Sequence, residues 1–297
     1  MNKNTPKVIW AGVLLLALLA LGAALPPEPG DSSREIGRTT ERELNVVLTA
    51  TFGTVVLSRG EPEKVVIAEA LVRDKGPSPM TLSYDVRNRI GYLDMTLGEE
   101  GEHREEGKKS SRSGIRVDGG EWKVRLTDAV PVSIDMELGV GNGTIDLTGL
   151  QVRDFNLQTG AGDITLAFDA PNTTVMENMS IESGVSRFVG RNLGNANFRR
   201  LHFQGGMGSY ELDFGGALTG EVDVDIDLGV GLMTLIVPGD VGVSVVYEKN
   251  WTSKISYDGE FRAATEARTV SENYAGAKGK MNIRIESGMG SVKIRQR

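Results

Sequence analysis

The sequence predicts an all-β protein of stacked repeats, a β-solenoid or roll, behind a single N-terminal transmembrane helix or signal segment. Three observations predict it. A short glycine motif recurs six times between residues 131 and 297, with its first glycine at Gly139, Gly160, Gly184, Gly206, Gly229 and Gly288. Each copy is flanked by apolar residues alternating at period two, the mark of a half-buried strand. At the other end, residues 8–25, "VIWAGVLLLALLALGAAL", run 18 residues without a charge, just long enough to cross a bilayer as a helix.

Taken in order, residues 1–7 form a cytoplasmic N-terminus. Lys3 and Lys7 precede the apolar run and no acid appears before Glu28, so the positive flank stays inside and the remainder is sent across the membrane. The length favours a retained anchor. The alternative is a cleaved signal, with Gly22 and Ala24 as its small-x-small site, and then a secreted domain. Residues 26–43 are polar with three prolines and read as a linker. Residues 44–130 form an N-terminal β region: "ELNVVLTATFGTVVLSRG" and "EKVVIAEALV" are rich in β-branched residues and broken by Gly and Pro. Within it, residues 99–121 are a charged, glycine-rich stretch that reads as a solvated loop, with a binding loop as the alternative.

Residues 131–297 carry the repeats. Segments such as "FNLQTGAGDITL" and "VDIDLGVGLMTL" share the form apolar-x-apolar, an acid or amide, then x-Gly-x-Gly/Ser-x-apolar. The steps between first glycines are 21, 24, 22, 23 and 59, and a near-constant period of this size means stacked coils that bury one shared interior. Phe155, Leu157, Ile164 and Leu166 face that interior while Asn156, Gln158, Asp163 and Thr165 face out. The long last step holds an insertion expected to form a hairpin and a short helix before the final strand returns to the stack and closes it.

The glycine pairs invite a nucleotide reading, which fails. A phosphate site needs a helix after the glycine turn, whereas strands follow here: "DITLAF", "SYELDF", "SVKI". The six first glycines are therefore structural corners, useful because glycine adopts φ > 0 and lets neighbouring backbones approach. Calcium-binding nonapeptides do not fit the period. The densest acid run, "EVDVDIDL", puts Asp223, Asp225 and Asp227 with Glu221 on one strand face. These residues are a weak cation candidate, because side chains at i and i+2 lie ~7 Å apart and a straight row does not converge on one ion. No other metal site and no cofactor is expected.

Composition narrows the function. The chain has 297 residues, no cysteine and two histidines, His103 and His202, so disulfides, thiolate chemistry and multi-histidine metal sites are out. Setting aside Lys3 and Lys7 leaves 31 bases (33 − 2) against 40 acids, a net charge of −9, which repels nucleic acid and anionic headgroups. No catalytic residue is assigned. Paired carboxylates are abundant, so a polysaccharide-active enzyme stays as the lowest alternative.

At "EWKVRLTDAVPVSIDMELGVGNGTIDLTGLQVRDFNLQTGAGDITLAF", "GVGLMTLIVPGDVGVSV" and the closing "SENYAGAKGKMNIRIESGMGSVKI", the chain resembles the bacterial toast-rack β-domain. That domain is similar to the C-terminal part of membrane-bound negative regulators of envelope-stress signalling, and more distantly to candidate adhesin-head domains. The resemblance covers roughly residues 40–297. It implies stacked β-structure outside the membrane and no enzymatic activity, with no site residues to carry over. The expectation is a non-enzymatic, adhesin-like binding or scaffold protein of the bacterial cell envelope, held in the membrane through residues 8–25 and binding an envelope protein or glycan. An accessory regulator damping an envelope-stress sensor is the alternative.

Overall fold

The computed structural model describes residues 33–73, 76–77, 80–98, 120–248 and 251–297. The expected membrane segment and the loop over 99–119 lie outside them. Among the described residues no helix is long and apolar enough to cross a membrane. Residues from Ser32 to Arg297 form one compact unit.

The strands are β1 Ser33–Gly37, β2 Glu43–Arg59, β3 Lys64–Ala70, β4 Val72–Arg73, β5 Gly76–Pro77, β6 Met80–Arg87, β7 Ile90–Leu97, β8 Gly120–Leu126 and β9 Pro131–Asp146. They continue with β10 Gln151–Ala167, β11 Met176–Arg191, β12 Phe198–Asp213, β13 Glu221–Val237, β14 Gly242–Tyr247, β15 Ser253–Asp258, β16 Phe261–Ala263, β17 Arg268–Ser271 and β18 Lys280–Gln296. Two 3-10 turns, Leu193–Ala196 and Glu272–Ala275, interrupt them. All but β4 and β5 belong to one 16-stranded sheet.

Its centre is a parallel stack in the order β2-β9-β10-β11-β12-β13-β18. Each of these strands is 16 or 17 residues long and is bent at its glycine motif. The burial phase records the bend. In β10, Phe155, Leu157 and Thr159 are buried before the motif, and Ile164 and Leu166 after it, a switch from odd to even positions. The two arms of one strand therefore turn their apolar sides toward each other. Phe203 and Tyr210, on opposite arms of β12, meet edge to face at 5.3 Å, and Phe188 of β11 meets Phe203 at 5.4 Å. A single apolar cluster fills the space between the arms from Leu44 to Ile294.

The returns between strands also stack. Asn172 is buried; its Nδ2 donates to Val152 O at 2.6 Å and to Ala196 O at 3.0 Å, and its Oδ1 accepts from Val152 N at 3.1 Å. Asn195 repeats the device one coil on, donating to Phe168 O and accepting from Ala217 N. These asparagines supply both donor and acceptor where irregular backbone is buried and cannot pair with water.

The ends of the stack are built differently from its middle. β2 pairs in parallel with β7 along its first arm and with β8 along its second, so β7 and β8 make one split coil. At the far end β18 pairs with β14 along its first arm and β15 along its second, a second split coil. Antiparallel strands then cover these ends: β6 on β7, β3 on β8, β1 on β3 and β17 on β14. Covering a stack end this way blunts the exposed edge that invites aggregation.

Several expectations change here. Residues 33–37, read as part of the 26–43 linker, form β1 and pair with β3; their sequence is polar because this strand lies at the edge and is half exposed. The division at 130/131 is not a structural boundary, since β2 pairs with β9 along both arms. Gly120 and Glu121, placed in the charged loop, open β8. The final strand returns after a hairpin and a 3-10 turn, as expected, but it does not close the stack: β18 sits between β13 and the split pair β14/β15.

Candidate functional site

The bends line up into a crease that runs the length of the stack. The register places the six first glycines in one row, each against its neighbour's backbone. A Cβ at Gly160 would stand 2.4 Å from Gly139 O, and one at Gly184 2.4 Å from Gly160 O. No first glycine has a left-handed φ. The second glycine takes that role: Gly162 has φ +146°, and a Cβ there would meet Gly141 O at 1.6 Å. Close backbone approach therefore holds at both glycines, and a left-handed φ is added only at the second, in Gly141, Gly162, Gly231 and Gly290. In β11 Ser186 holds the second position, and its hydroxyl hydrogen-bonds Ser183 inside the bend.

Between the two glycines one residue per coil points away from the core. The register joins Phe52 to Val140, Val140 to Ala161, Ala161 to Val185, Val185 to Met207, Met207 to Val230 and Val230 to Met289. All but Ala161 are large apolar side chains left exposed, Val185 at 61% and Met207 at 56%. With ~4.8 Å between neighbouring strands, this ridge extends about 29 Å. At its C-terminal end β14 and β15 are separated by an insertion at the crease, which carries Trp251, 96% exposed. At its N-terminal end β7 stops at Leu97, opposite Ala50, and β8 starts at Gly120, opposite Gly53, on either side of the bend of β2.

Beside the ridge, on the first arm, runs a polar row: Glu137, Gln158, Glu182, Gln204, Asp227 and Glu286 face one another in register. Acid and amide alternate through the first four. The first four of this row, with Gly139, Gly160, Gly184 and Gly206, line a shallow groove of about 350 Å³. A larger notch of about 520 Å³ lies at the C-terminal end, lined by Gln204, Asp227, Glu248 and Glu286. Beneath the crease, burial pushes the Tyr210 phenol up in pKa, so that hydroxyl stays neutral.

The weak cation candidate takes a different form. Asp223 Oδ1 and Glu221 Oε1 share the Asn282 amide, at 3.3 and 2.8 Å, and no group of three or more His, Asp or Glu among the described residues is arranged to hold a metal ion. Asp223, Asp225 and Asp227 are spread along one strand, so their oxygens do not converge. Asp227 instead joins Glu248 and Glu286, which come from other strands. His202 Nε2 lies 4.0 Å from Asp227 at the surface; His103 is outside the described residues.

Sequence reasoning missed the ridge, the notch and the seventh bent strand. The signal for β2 was present: "LTATFGTVVL" carries the same phase switch around Thr51-Phe52-Gly53. The ridge was legible as the x of each G-x-G, which is apolar in every copy.

The family model described as the N-terminal domain of toast_rack (DUF2154) matches residues 27–189, more than half of the chain. The chain belongs to the toast-rack family. The match ends inside β11, and the toast-rack stack continues past it in unbroken register through β12, β13 and β18. Among solved structures the chain is similar to a candidate cell adhesion protein from Clostridium sporogenes, at 20% identity and TM-score 0.44, over 89% of this chain and 98% of that one. It is also similar to a candidate adhesin from Bacteroides fragilis, at 13% identity and TM-score 0.34, over 90% and 98%. No curated protein matches.

Proposed function

We propose that this toast-rack chain is a non-enzymatic binding or scaffold protein of the bacterial cell envelope, which engages a partner along its crease. The observation that carries this reading is the ridge. A contiguous row of exposed apolar side chains on an otherwise polar surface marks an interaction site, and here seven coils supply it in register. The bent stack makes such a surface rigid, because each ridge residue is flanked by at least one glycine pinned against neighbouring backbone.

The proposed setting is extracytoplasmic, with residues 8–25 as a single-pass anchor. The uncharged run behind Lys3 and Lys7 supports that orientation, and the acidic exported part argues against nucleic acid as the partner. A pull-down from crosslinked native membranes tests the reading. The intact chain is expected to recover a specific envelope protein or glycan, and a Val185→Ser, Met207→Ser, Val230→Ser variant is expected to lose it. Equal recovery by both would overturn the crease as the binding surface. Recovery of a sensor kinase by the intact chain alone would make this binding protein an accessory stress regulator.

A further inference from the structure

We infer that the crease accepts a cationic amphipathic segment of a partner protein, with apolar side chains along the ridge and Lys or Arg side chains in the acidic row. The inference rests on the reading of the crease as a binding surface and names the chemistry of what it binds. The decisive feature is the asymmetry of charge along the row. From Glu137 to Gln204 an amide separates each pair of acids, so like charges stand two strands apart, ~9.6 Å. At the C-terminal end this spacing is abandoned. Asp227 and Glu286 are direct partners in the ladder, and Glu248 follows just past the end of β14, its N–H bonded to Ile285 O. Three carboxylates therefore stack at ~4.8 Å, an arrangement that destabilises a sheet.

Nothing described within the chain neutralises them. Among the described residues no Lys or Arg forms an ion pair with Asp227, Glu248 or Glu286, and the one basic contact is His202 at 4.0 Å from Asp227. Elsewhere in the chain acids are paired: Arg153 bonds Glu43 at 2.7 Å and Arg125 bonds Glu69 at 2.6 Å. The three acids, none paired with a Lys or Arg of the described residues, also line the notch of about 520 Å³, room for the head of a long basic side chain. Met207, Val230 and Met289 flank that notch on the ridge, and exposed Trp251 stands at the ridge end, offering an aromatic face to a cation. An anionic lipid surface or nucleic acid meets the wrong sign of charge here. A polypeptide with Lys or Arg beside apolar side chains meets the right one, and such complementarity fixes both orientation and partner choice.

The test is selection from a random phage-displayed peptide library on the full-length chain held in nanodiscs of neutral phosphatidylcholine, with empty nanodiscs removing lipid binders. The enriched peptides are expected to combine Lys or Arg with Val, Leu, Ile or Phe. A synthetic copy should bind at least tenfold more weakly to the Asp227→Asn, Glu248→Gln, Glu286→Gln variant, whose melting temperature should match or exceed that of the parent because like-charge repulsion is relieved. Enrichment of acidic or neutral peptides, no enrichment, or unchanged affinity for the charge variant would overturn the inference. If the serine ridge variant loses binding while the charge variant keeps it, the crease reading stands and the cationic partner falls. If both variants keep it, both readings fall.

Discussion

Replacing Gly162 by alanine tests how the crease is held. The added methyl would sit 1.6 Å from Gly141 O and must reach at least 3.0 Å, a displacement of 1.4 Å (3.0 − 1.6). The obstacle is backbone, so no side-chain rotation relieves it. Gly141 is bonded in turn to β2, and Gly162 faces Ser186 on its other side, so neither strand moves alone. Opening the coils by that amount stretches local ladder bonds past hydrogen-bonding distance. Two lost bonds cost about 1–3 kcal/mol, and holding alanine at φ +146° adds about 1–3 kcal/mol. The sum, about 2–6 kcal/mol, is a large share of the ~5–15 kcal/mol margin of a typical domain. Gly220→Ala is the control, since nothing lies within 4 Å of its would-be Cβ; its effect should stay under about 0.5 kcal/mol. Urea unfolding followed by circular dichroism reads both. Equal and small shifts in midpoint would refute the claim that the second glycine is fixed by close backbone approach and positive φ.

Three further outcomes are expected. Asn172→Ala strands the Val152 N–H and the Val152 and Ala196 carbonyls, at a cost of about 2–4 kcal/mol; unchanged hydrogen exchange at the Val152 amide would contradict it. Glu41 is buried, and burial alone would raise its pKa, but hydrogen bonds from its own backbone N–H and from Thr39 outweigh that and hold it below the usual carboxylate range. Its contribution is therefore complete above the unfolded carboxylate pKa and is lost as pH falls through the lower folded value, so Glu41→Gln should flatten the fall of urea midpoint between about pH 6 and 3; parallel curves would sink this assignment. Deleting residues 287–297 removes Val292 and Ile294, each worth roughly 1.5–3 kcal/mol as an upper estimate, and leaves β15 and the second arm of β13 without their shared neighbour. The truncated chain should bind a hydrophobic dye and aggregate, and an unchanged melting temperature would refute the interior position of β18.

The stack was legible because its signal is periodic. Alternation at period two and glycine pairs at near-constant steps fix which side of each strand is buried, as Phe155, Leu157, Ile164 and Leu166 show. The N-terminal end was not legible, because its split coil divides one repeat into two pieces far apart in sequence, β7 ending at Leu97 and β8 beginning at Gly120. The crossing of Leu97 to Gly120 hides the kinship of β7 and β8 with a single bent strand. The order of β18 before β14 and β15 in space also reverses their order in the chain, which no local pattern records. The acidic notch escaped for the same reason: Asp227, Glu248 and Glu286 meet only after three strands from different coils are aligned. Asn172 and Asn195 read as ordinary loop residues, since nothing in "PNTT" or "GNAN" tells that the loop is buried.

Where the molecule is touched in its own envelope tests the crease most directly. A photo-crosslinking amino acid is placed singly at Val140, Val185, Met207, Val230 and Met289 on the ridge, and at Thr144, Thr165 and Glu211 on the outer arm face, in the full-length chain in living cells. Discrete adducts of one mass are expected from the ridge positions, strongest toward Met289 beside the notch, and none from the arm face. Adducts from the arm face alone, or an even scatter over both, would contradict it.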